Sequence, residues 1–345
     1  MDRVLRANGS PRTSDVISVT TSNRVAVANW RPFIACLVAV YSLSTLGANF
    51  ALGQTPAAKP VPRVQVTPQP YDQASVQLDG VEFTRYHFGP ALKRSFLFPL
   101  IGPSGRSVTR MGHPRDPNGH SHHNSVWIAH NDVNGVDFWG DKGQGRIAHV
   151  KVLKYDDTDR AATIAVLNHW LDGAGKKLLE EQRTMEFEPA GGGEWILRLD
   201  LEFKAAGEPV QFGKSPFGPV GVRMAKTIGV HDGGGTIRNS EGGVDEKGVH
   251  WKRARWVDYA GPITAHRFEG ITLIDHPENP GHPNFFHVRD DGWMGTSPSY
   301  EAPIVISSDK PLRLRYVLWV HDGVPTLEKL AQRAQELTPA MRRGE

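Results

Sequence analysis

Between Gly119 and Trp139 the chain carries His120, His122, His123 and His130, two aspartates, three asparagines and two tryptophans, with no lysine, arginine or glutamate. Imidazole titrates near neutrality and is the commonest metal ligand. Such a run therefore points to proton transfer or to a metal. A second window, residues 275–287, adds His276, His282 and His287. Seven of the fifteen histidines lie in these two windows, which predicts that the windows meet in space.

The proton-transfer reading needs the fewest assumptions. His123, His130, His282 and His287 are its candidate acids and bases, with Glu181, Asp132, Asp137 or Asp275 as the carboxylates that tune them. Trp127, Trp139, Trp251, Trp256 and Trp293 offer flat apolar faces beside these groups, although a tryptophan taken alone is most often a core residue. An aromatic face flanked by carboxylates and amides suits a sugar ring, which has an apolar face and a rim of hydroxyls. His122, Trp127, Asp137, Trp139 and His276 are accordingly candidate substrate contacts. Arg223 is a charge inside the apolar strand pattern Gly221-Val222-Arg223-Met224-Ala225, fit either to pair with a carboxylate or to grip a ligand. Asn239 opens a turn pattern, Asn239-Ser240-Glu241-Gly242-Gly243, and is a further candidate contact.

A metal is the alternative. His120 and His122 would share one face of a strand and His123 the other. His130 and Asp132, with a distal His282 or His287, have the makings of a two-histidine, one-carboxylate site. No other cofactor is expected. The bland reading is a polar loop network that only hydrogen-bonds backbone. Phosphate loops, dinucleotide fingerprints, C-x-x-C pairs and G-x-S-x-G elbows are all missing from the sequence.

These residues must be held by something. The 345 residues are 39% hydrophobic and 22% charged, ordinary for a globular core, and the net charge of +3 is dispersed, which disfavours nucleic acid as a partner. Trp195 to Phe203 alternates apolar and polar residues, the period of a half-buried strand. Gly191-Gly192-Gly193 turns it back onto residues 179–188. Further strands are expected at 76–83, 94–100, 147–155, 161–171, 221–225, 266–274, 283–289, 303–307 and 312–320. Only residues 326–337 read as a helix. Strands without intervening helices predict an all-β fold, a large antiparallel β-sandwich or barrel spanning 75–340 with one C-terminal helix.

Ahead of it, residues 1–53 read as a polar n-region and an uncharged run from Phe33 to Leu52, then small residues fit for cleavage before Gln54. The expectation is export to the periplasm or beyond, with an uncleaved membrane anchor as the alternative. The long n-region leaves the true start open. The single cysteine, Cys36, lies in this run, so a cleaved chain has no thiol and no disulfide. Residues 54–74, with five prolines, read as a linker.

The motifs from His122 to Trp139, Phe217 to Ala225, Asn239 to Gly242 and Trp256 to Tyr259, together with the 275–287 window, give a resemblance to an exported bacterial family catalogued as methane oxygenase PmoA, or PmoA-like. It covers most of residues 80–325. The chain departs from that pattern at Asn124-Ser125, where the family has Arg-Gly, and at Asn131, where it has Gly. The resemblance implies a fold similar to galactose-mutarotase-like supersandwiches, which mostly handle carbohydrates. The family label itself names a reaction that needs several membrane helices, and one apolar run cannot supply them. The expectation is an exported carbohydrate-active protein that hydrolyses, epimerises or eliminates on a sugar. A mononuclear metal oxygenase using His130, Asp132 and His282, and a non-catalytic saccharide binder, are the alternatives.

Overall fold

A computed structural model describes residues 60–112 and 120–339 of the protein. The proposed leader, with its apolar run, lies outside the described residues. Among the described residues no helix is long and apolar enough to cross a membrane.

Two antiparallel sheets form a sandwich. Read across the first, the nine strands are Val64–Gln69, Gln73–Leu78, Val81–His87, Phe96–Leu100, Val126–Ile128, Val220–Arg223, Trp293–Ser297, Phe285–Arg289 and Lys252–Arg253. The second runs Thr236–Asn239, Trp256–Thr264, Arg267–Asp275, Leu312–Asp322, Glu194–Ala205, Lys177–Gly191, Ala162–Leu171 and Arg146–Asp157. The all-β expectation is met. The Gly191–Gly193 turn joins the two long strands it was expected to join, with all three glycines at positive φ.

Side chains of a strand alternate between faces, and residues directly opposite each other in an antiparallel pair share a face. Val126, Ile128, Val220, Val222, Phe286, Val288 and Met294 therefore point to the interior. They join one core with Ile164, Met185, Leu197, Leu199, Leu201, Ile271 and Leu318 of the second sheet. The outer face of the second sheet is closed by the helix Leu327–Leu337. Its Leu330, Ala334 and Leu337 pack on Ile196, Trp256, Ile274, Val317 and Trp319. Thr326 caps that helix by accepting from the Lys329 amide.

Three local expectations need correction. The stretch read as a linker contains the edge strand Val64–Gln69, whose Val64 and Val66 face inward. Its Pro68 is tolerated because the strand lies at a sheet edge. The strand expected at 76–83 is a hairpin, turning at Asp79-Gly80, both at positive φ. Two short helices, Val230–Gly233 and Asp245–Val249, interrupt the all-strand reading, and both matter below.

The helix docks by burial of few side chains. Leu330→Ala should cost roughly 2–5 kcal/mol of unfolding free energy. Leu327→Ala, at a position 44% exposed, should cost no more than about 0.5 kcal/mol. Denaturant titration of the two variants checks this, and equal losses would refute the docking face described.

Candidate active site

The outer face of the nine-stranded sheet, turned away from the second sheet, carries the chemistry. At its centre Gly221 stands opposite both Trp127 and Gly295, on neighbouring strands. A Cβ on Gly221 would fall 2.7 Å from the Trp127 ring and 2.9 Å from that of Trp293. One on Gly295 would fall 2.6 Å from Trp293. Two glycines side by side thus let two indoles lie down on the backbone. His123 stacks on both, at 5.1 and 5.0 Å between centroids, and His120 stacks on His123 at 4.5 Å. Trp139 closes one side at 5.3 Å from Trp293, and His287 stands edge-on to Trp293 at 5.8 Å.

Above this stack lies a cavity of about 810 Å³. Its wall is made by His120, His122, His123, Asn131, Asp137, Trp139, Gly140, Phe217, His231, Glu246, His287, Arg289, Asp290, Asp291 and Trp293. The two windows do meet, His120, His122 and His123 from the first and His287 from the second.

Two arginines, both almost wholly buried, brace this wall. Arg94 donates to the carbonyls of His122 (2.9 Å) and Trp139 (2.6 Å) and to the Asn124 amide oxygen, fixing the histidine loop against the Trp139 turn. Burial lowers Arg94 to about 10, with Asp141 and Asp137 opposing, so it stays charged at neutrality. Arg223 lies behind the cavity and grips Asp291 with both nitrogens, at 2.9 and 3.3 Å. The other side of Asp291 meets His120, with Oδ2 at 3.1 Å from Nδ1. Burial alone would raise the Asp291 pKa, but His120 and Arg223 together outweigh it, and the carboxyl is held well below its usual range. These two partners thus favour the charged form of Asp291.

Asp291 sits on the turn Asp290-Asp291-Gly292 between two strands, with Gly292 at φ 97°. Both short helices serve this turn. Glu246, in Asp245–Val249, exchanges hydrogen bonds with Asp290, each carboxylate accepting from the other's backbone N–H, and takes an ion pair from Arg289 at 3.0 Å. The His231 amide, in Val230–Gly233, donates to the Asp290 carbonyl, and the buried Tyr259 hydroxyl donates to the carbonyls of Arg289 and Asp290.

The imidazoles are kept neutral chiefly by burial. His123 is pushed well below its ordinary value, with the neighbouring His122 and Arg223 adding to the effect. His287 is pushed down to about 3, with His250 and Arg289 behind burial. His122 is lowered by burial and then by Arg94. Asp137 accepts from the amides of Trp139 (2.7 Å) and Gly140 (3.1 Å), so it shapes the turn as well as lining the wall.

Other expected site residues lie elsewhere. His130 is fully buried against Phe212 at 4.5 Å. Its Nδ1 accepts from the Asp132 amide and its Nε2 faces the Ser299 hydroxyl at 2.9 Å. With both nitrogens engaged it has no lone pair to offer. Asp132 accepts from the Gly135 amide and is a turn former. His282 pairs with Asp275 at 2.8 Å, and Asp275 also holds Asn279 and Asn284, so this carboxylate organises its own loop. His276 accepts from the Glu278 amide in the same loop. The metal set His130, Asp132 and His282 is thus not assembled. Among the described residues no group of three or more histidine, cysteine, aspartate or glutamate side chains is placed to share a metal ion.

Glu181 lies in the sandwich interior, accepting from Trp170 Nε1 (2.7 Å) and Arg183 Nε (2.6 Å), on the far side of the first sheet from the cavity. Asn239 accepts from the Glu241 and Gly243 amides and is a turn residue only. Trp127 lies beneath His123 and is not part of the wall. Arg223 pairs with Asp291 and does not line the cavity. The acid–base and contact candidates drawn from the sequence did not include His120, and they also missed Asp291, Asp290, Glu246, Arg289, His231, Phe217 and the brace Arg94. An Asp-Asp-Gly run followed by Trp293 was the available signal for the first two. Ser125 and Asn131 both have local structural roles. Ser125 sits at φ 58°, where glycine is unstrained, and its hydroxyl donates to Thr109. Asn131 lines the cavity and accepts from the Ser215 hydroxyl.

Residues 73–335 match a family of unknown function, DUF6807. The chain belongs to that family. No protein of curated function matches this DUF6807 member in sequence. Solved structures similar to it include a Salmonella typhimurium protein assigned as a mutarotase, at 11% identity and a TM-score of 0.32, covering 75% of this chain and 97% of that one. A 4-alpha-glucanotransferase from Thermococcus litoralis gives 10% and 0.34, covering 76% of this chain and 39% of that one. A protein from the human microbiome assigned as a kojibiose phosphorylase gives 10% and 0.32, covering 81% and 36%. The sandwich is established by its own strands, and likeness this slight adds nothing about what the DUF6807 chain does.

Acid should unfold this site by two routes of the same sign. A histidine whose pKa is lowered by folding binds fewer protons folded than unfolded, so stability rises with pH between the two values. For His287 that window runs from about 3 up to the ordinary 6.5, and for His130 from about 4. Stability should be full above about pH 6.5 and fall by about 1.4 kcal/mol per unit for each such imidazole as pH drops. Asp291, also lowered, adds loss at the acid end. Denaturation midpoints from pH 7 to 4 test this. His287→Gln should flatten the slope, and an unchanged slope would contradict it. In the same measurement at pH 7, Gly295→Ala should destabilise by about 1–3 kcal/mol through overpacking against Trp293.

Proposed function

We propose that this cavity binds a saccharide and acts on it by acid–base chemistry. The observation that carries the reading is the stacked floor of indole and imidazole rings beneath a wall of carboxylates, an amide and an arginine. A pyranose presents apolar C–H faces and a hydroxyl rim, and this wall offers a matching partner to each. A concave aromatic site with a few convergent polar groups is the form small-molecule sites take.

The roles follow from the geometry. His120 is the acid–base group, turned by Asp291, which Arg223 holds in place and ionised. When His120 donates Nδ1–H toward that carboxylate, Nε2 carries the lone pair. Asp291 thereby holds the tautomer and orientation of the ring, the role a carboxylate plays in other imidazole–carboxylate pairs. His123 and His287, kept neutral by burial, are uncharged polar groups that can hydrogen-bond the substrate. Trp139, Trp293 and Phe217 supply the apolar faces, and Asn131, Asp137 and Arg289 the hydroxyl contacts. Hydrolysis, epimerisation and elimination all begin by moving a proton at a hydroxyl, a water or a C–H beside the ring, and this arrangement serves that step. The motifs behind the PmoA-like resemblance supply Asp137, Trp139, Phe217 and His287 to the wall, which supports taking that resemblance as one of binding site. The run from Phe33 to Leu52 is read as an export signal, which would place the reaction in the periplasm or outside the cell.

Screening monosaccharides and disaccharides by calorimetry, with products followed by NMR, tests this. His120→Ala and His287→Ala should each lower turnover by at least about 100-fold. His282→Ala, outside the cavity, should leave it within about twofold. The reading is lost if no saccharide binds at millimolar concentration, or if both cavity variants behave as wild type. Binding without product would make this a saccharide-binding protein.

A further inference from the structure

The ring contacts do not stop at the cavity. His287, in its wall, is followed outward by Trp251 at 6.1 Å between centroids, then Tyr300 at 5.9 Å, then Phe285 at 4.5 Å. Trp251 is 44% exposed. It lies just before Lys252–Arg253, the edge strand of the nine-stranded sheet, and its amide donates to the Phe286 carbonyl at 2.8 Å. Arg253 lies over the Phe285 ring at 4.3 Å and reaches Glu301 at 2.6 Å, so the aromatic shelf has a charged rim. The same guanidinium donates to the Gly281 and Pro283 carbonyls, which makes the rim rigid.

A single exposed tryptophan needs no explanation. This one has two features that do. Its backbone sits at φ 54°, a conformation costly for an aromatic residue, and held here by the pairing to Phe286. Its ring is also one member of a continuous aromatic cluster that joins His287 in the cavity wall to the half-buried Tyr300 and Phe285. Rings in such a cluster serve a ligand made of linked units, each with its own apolar face, better than a ligand confined to the cavity.

We infer that Trp251 and Tyr300 form a second sugar subsite outside the cavity, so that the ligand is an oligosaccharide or a glycoside with at least two rings. This rests on the saccharide reading of the cavity. It adds that one ring sits in the cavity, against the His120–His123 stack and Trp139, while the next stacks on the shelf, its hydroxyls facing Arg253 and Glu301.

The test compares glucose, galactose, mannose and xylose with their α- and β-linked disaccharides and trisaccharides, by calorimetry on the full chain. Wild type should bind at least one oligosaccharide ten times more tightly than its parent monosaccharide. Trp251→Ala and Tyr300→Ala should each remove most of that tenfold gain and leave the monosaccharide Kd within twofold. Circular dichroism confirms folding, and should Trp251→Ala fail it, Tyr300→Ala and Trp251→Leu decide. The subsite is refuted if the variants leave oligosaccharide affinity unchanged, or if they weaken monosaccharide and oligosaccharide alike. If wild type binds monosaccharides but gains nothing from a second ring, the shelf alone fails and the cavity reading stands. If wild type binds no saccharide at all, both fail together.

Discussion

Two hydrogen atoms in place of two methyl groups set the geometry of the whole site. Gly221 and Gly295 face each other across neighbouring strands, and the space their missing side chains leave is filled by the edges of Trp127 and Trp293. Indoles lying flat on a sheet present broad faces upward, and His123 and His120 stack on them in turn. Any side chain at either glycine would tilt the rings and lift the histidines. Glycine within a strand is usually a weakness, because it adds entropy cost and packs nothing. Here it is the condition for bringing aromatic faces and imidazoles to one plane.

Burial and pairing then treat those imidazoles differently. Burial disfavours the charged ring and lowers His123 in the floor and His287 in the wall. His120 instead touches a carboxylate, Asp291, at 3.1 Å. Arg223, fully buried, requires a partner, since an unpaired guanidinium there would be costly. Asp291 supplies it and is pinned in return. The pairing therefore acts on His120 through one intermediate, and the turn that bears Asp291 is fastened from three sides, by Glu246, by the His231 amide and by Tyr259. A carboxylate so constrained can orient an imidazole with little motion of its own, which is the requirement for proton transfer at fixed geometry.

Much of the fold was legible because it follows periodicity. The alternation from Trp195 to Phe203, the three-glycine turn and the amphipathic C-terminal helix each give a local pattern that tertiary structure had no reason to override. The strands that matter most to the site gave weaker patterns. Trp293–Ser297 holds one glycine and is buried on both faces, so it does not alternate, and Trp256–Thr264 is interrupted by Gly261 and Pro262. The clustering of histidines was readable as a bias in residue type, and it placed part of the site. What composition does not carry is direction. His282 and His287 are five residues apart in one window, yet the first turns to Asp275 and the second projects from a strand into the cavity. Arg94 and Asp291 act through contacts 28 and more residues away along the chain, which no local pattern encodes.

The histidines are sorted by what each ring nitrogen already does. In His130 both nitrogens meet protein partners, in His276 and His282 one nitrogen is fixed in a loop that never reaches the cavity, and His250 donates to the Val288 carbonyl at 2.7 Å. Those rings are struts. They also explain why a histidine-rich sequence need not be a histidine-rich active site: a strand sandwich with many short turns has backbone amides and carbonyls to satisfy at its rim, and imidazole can donate or accept. His120 and His123 are placed differently, stacked by their faces on aromatic rings, while His287 meets the Trp293 ring edge-on. Ring contacts thus fix the planes of His120 and His123 through their π surfaces, and the pairing with Asp291 adds a polar anchor for His120, so that the imidazoles of the cavity are positioned from more than one side.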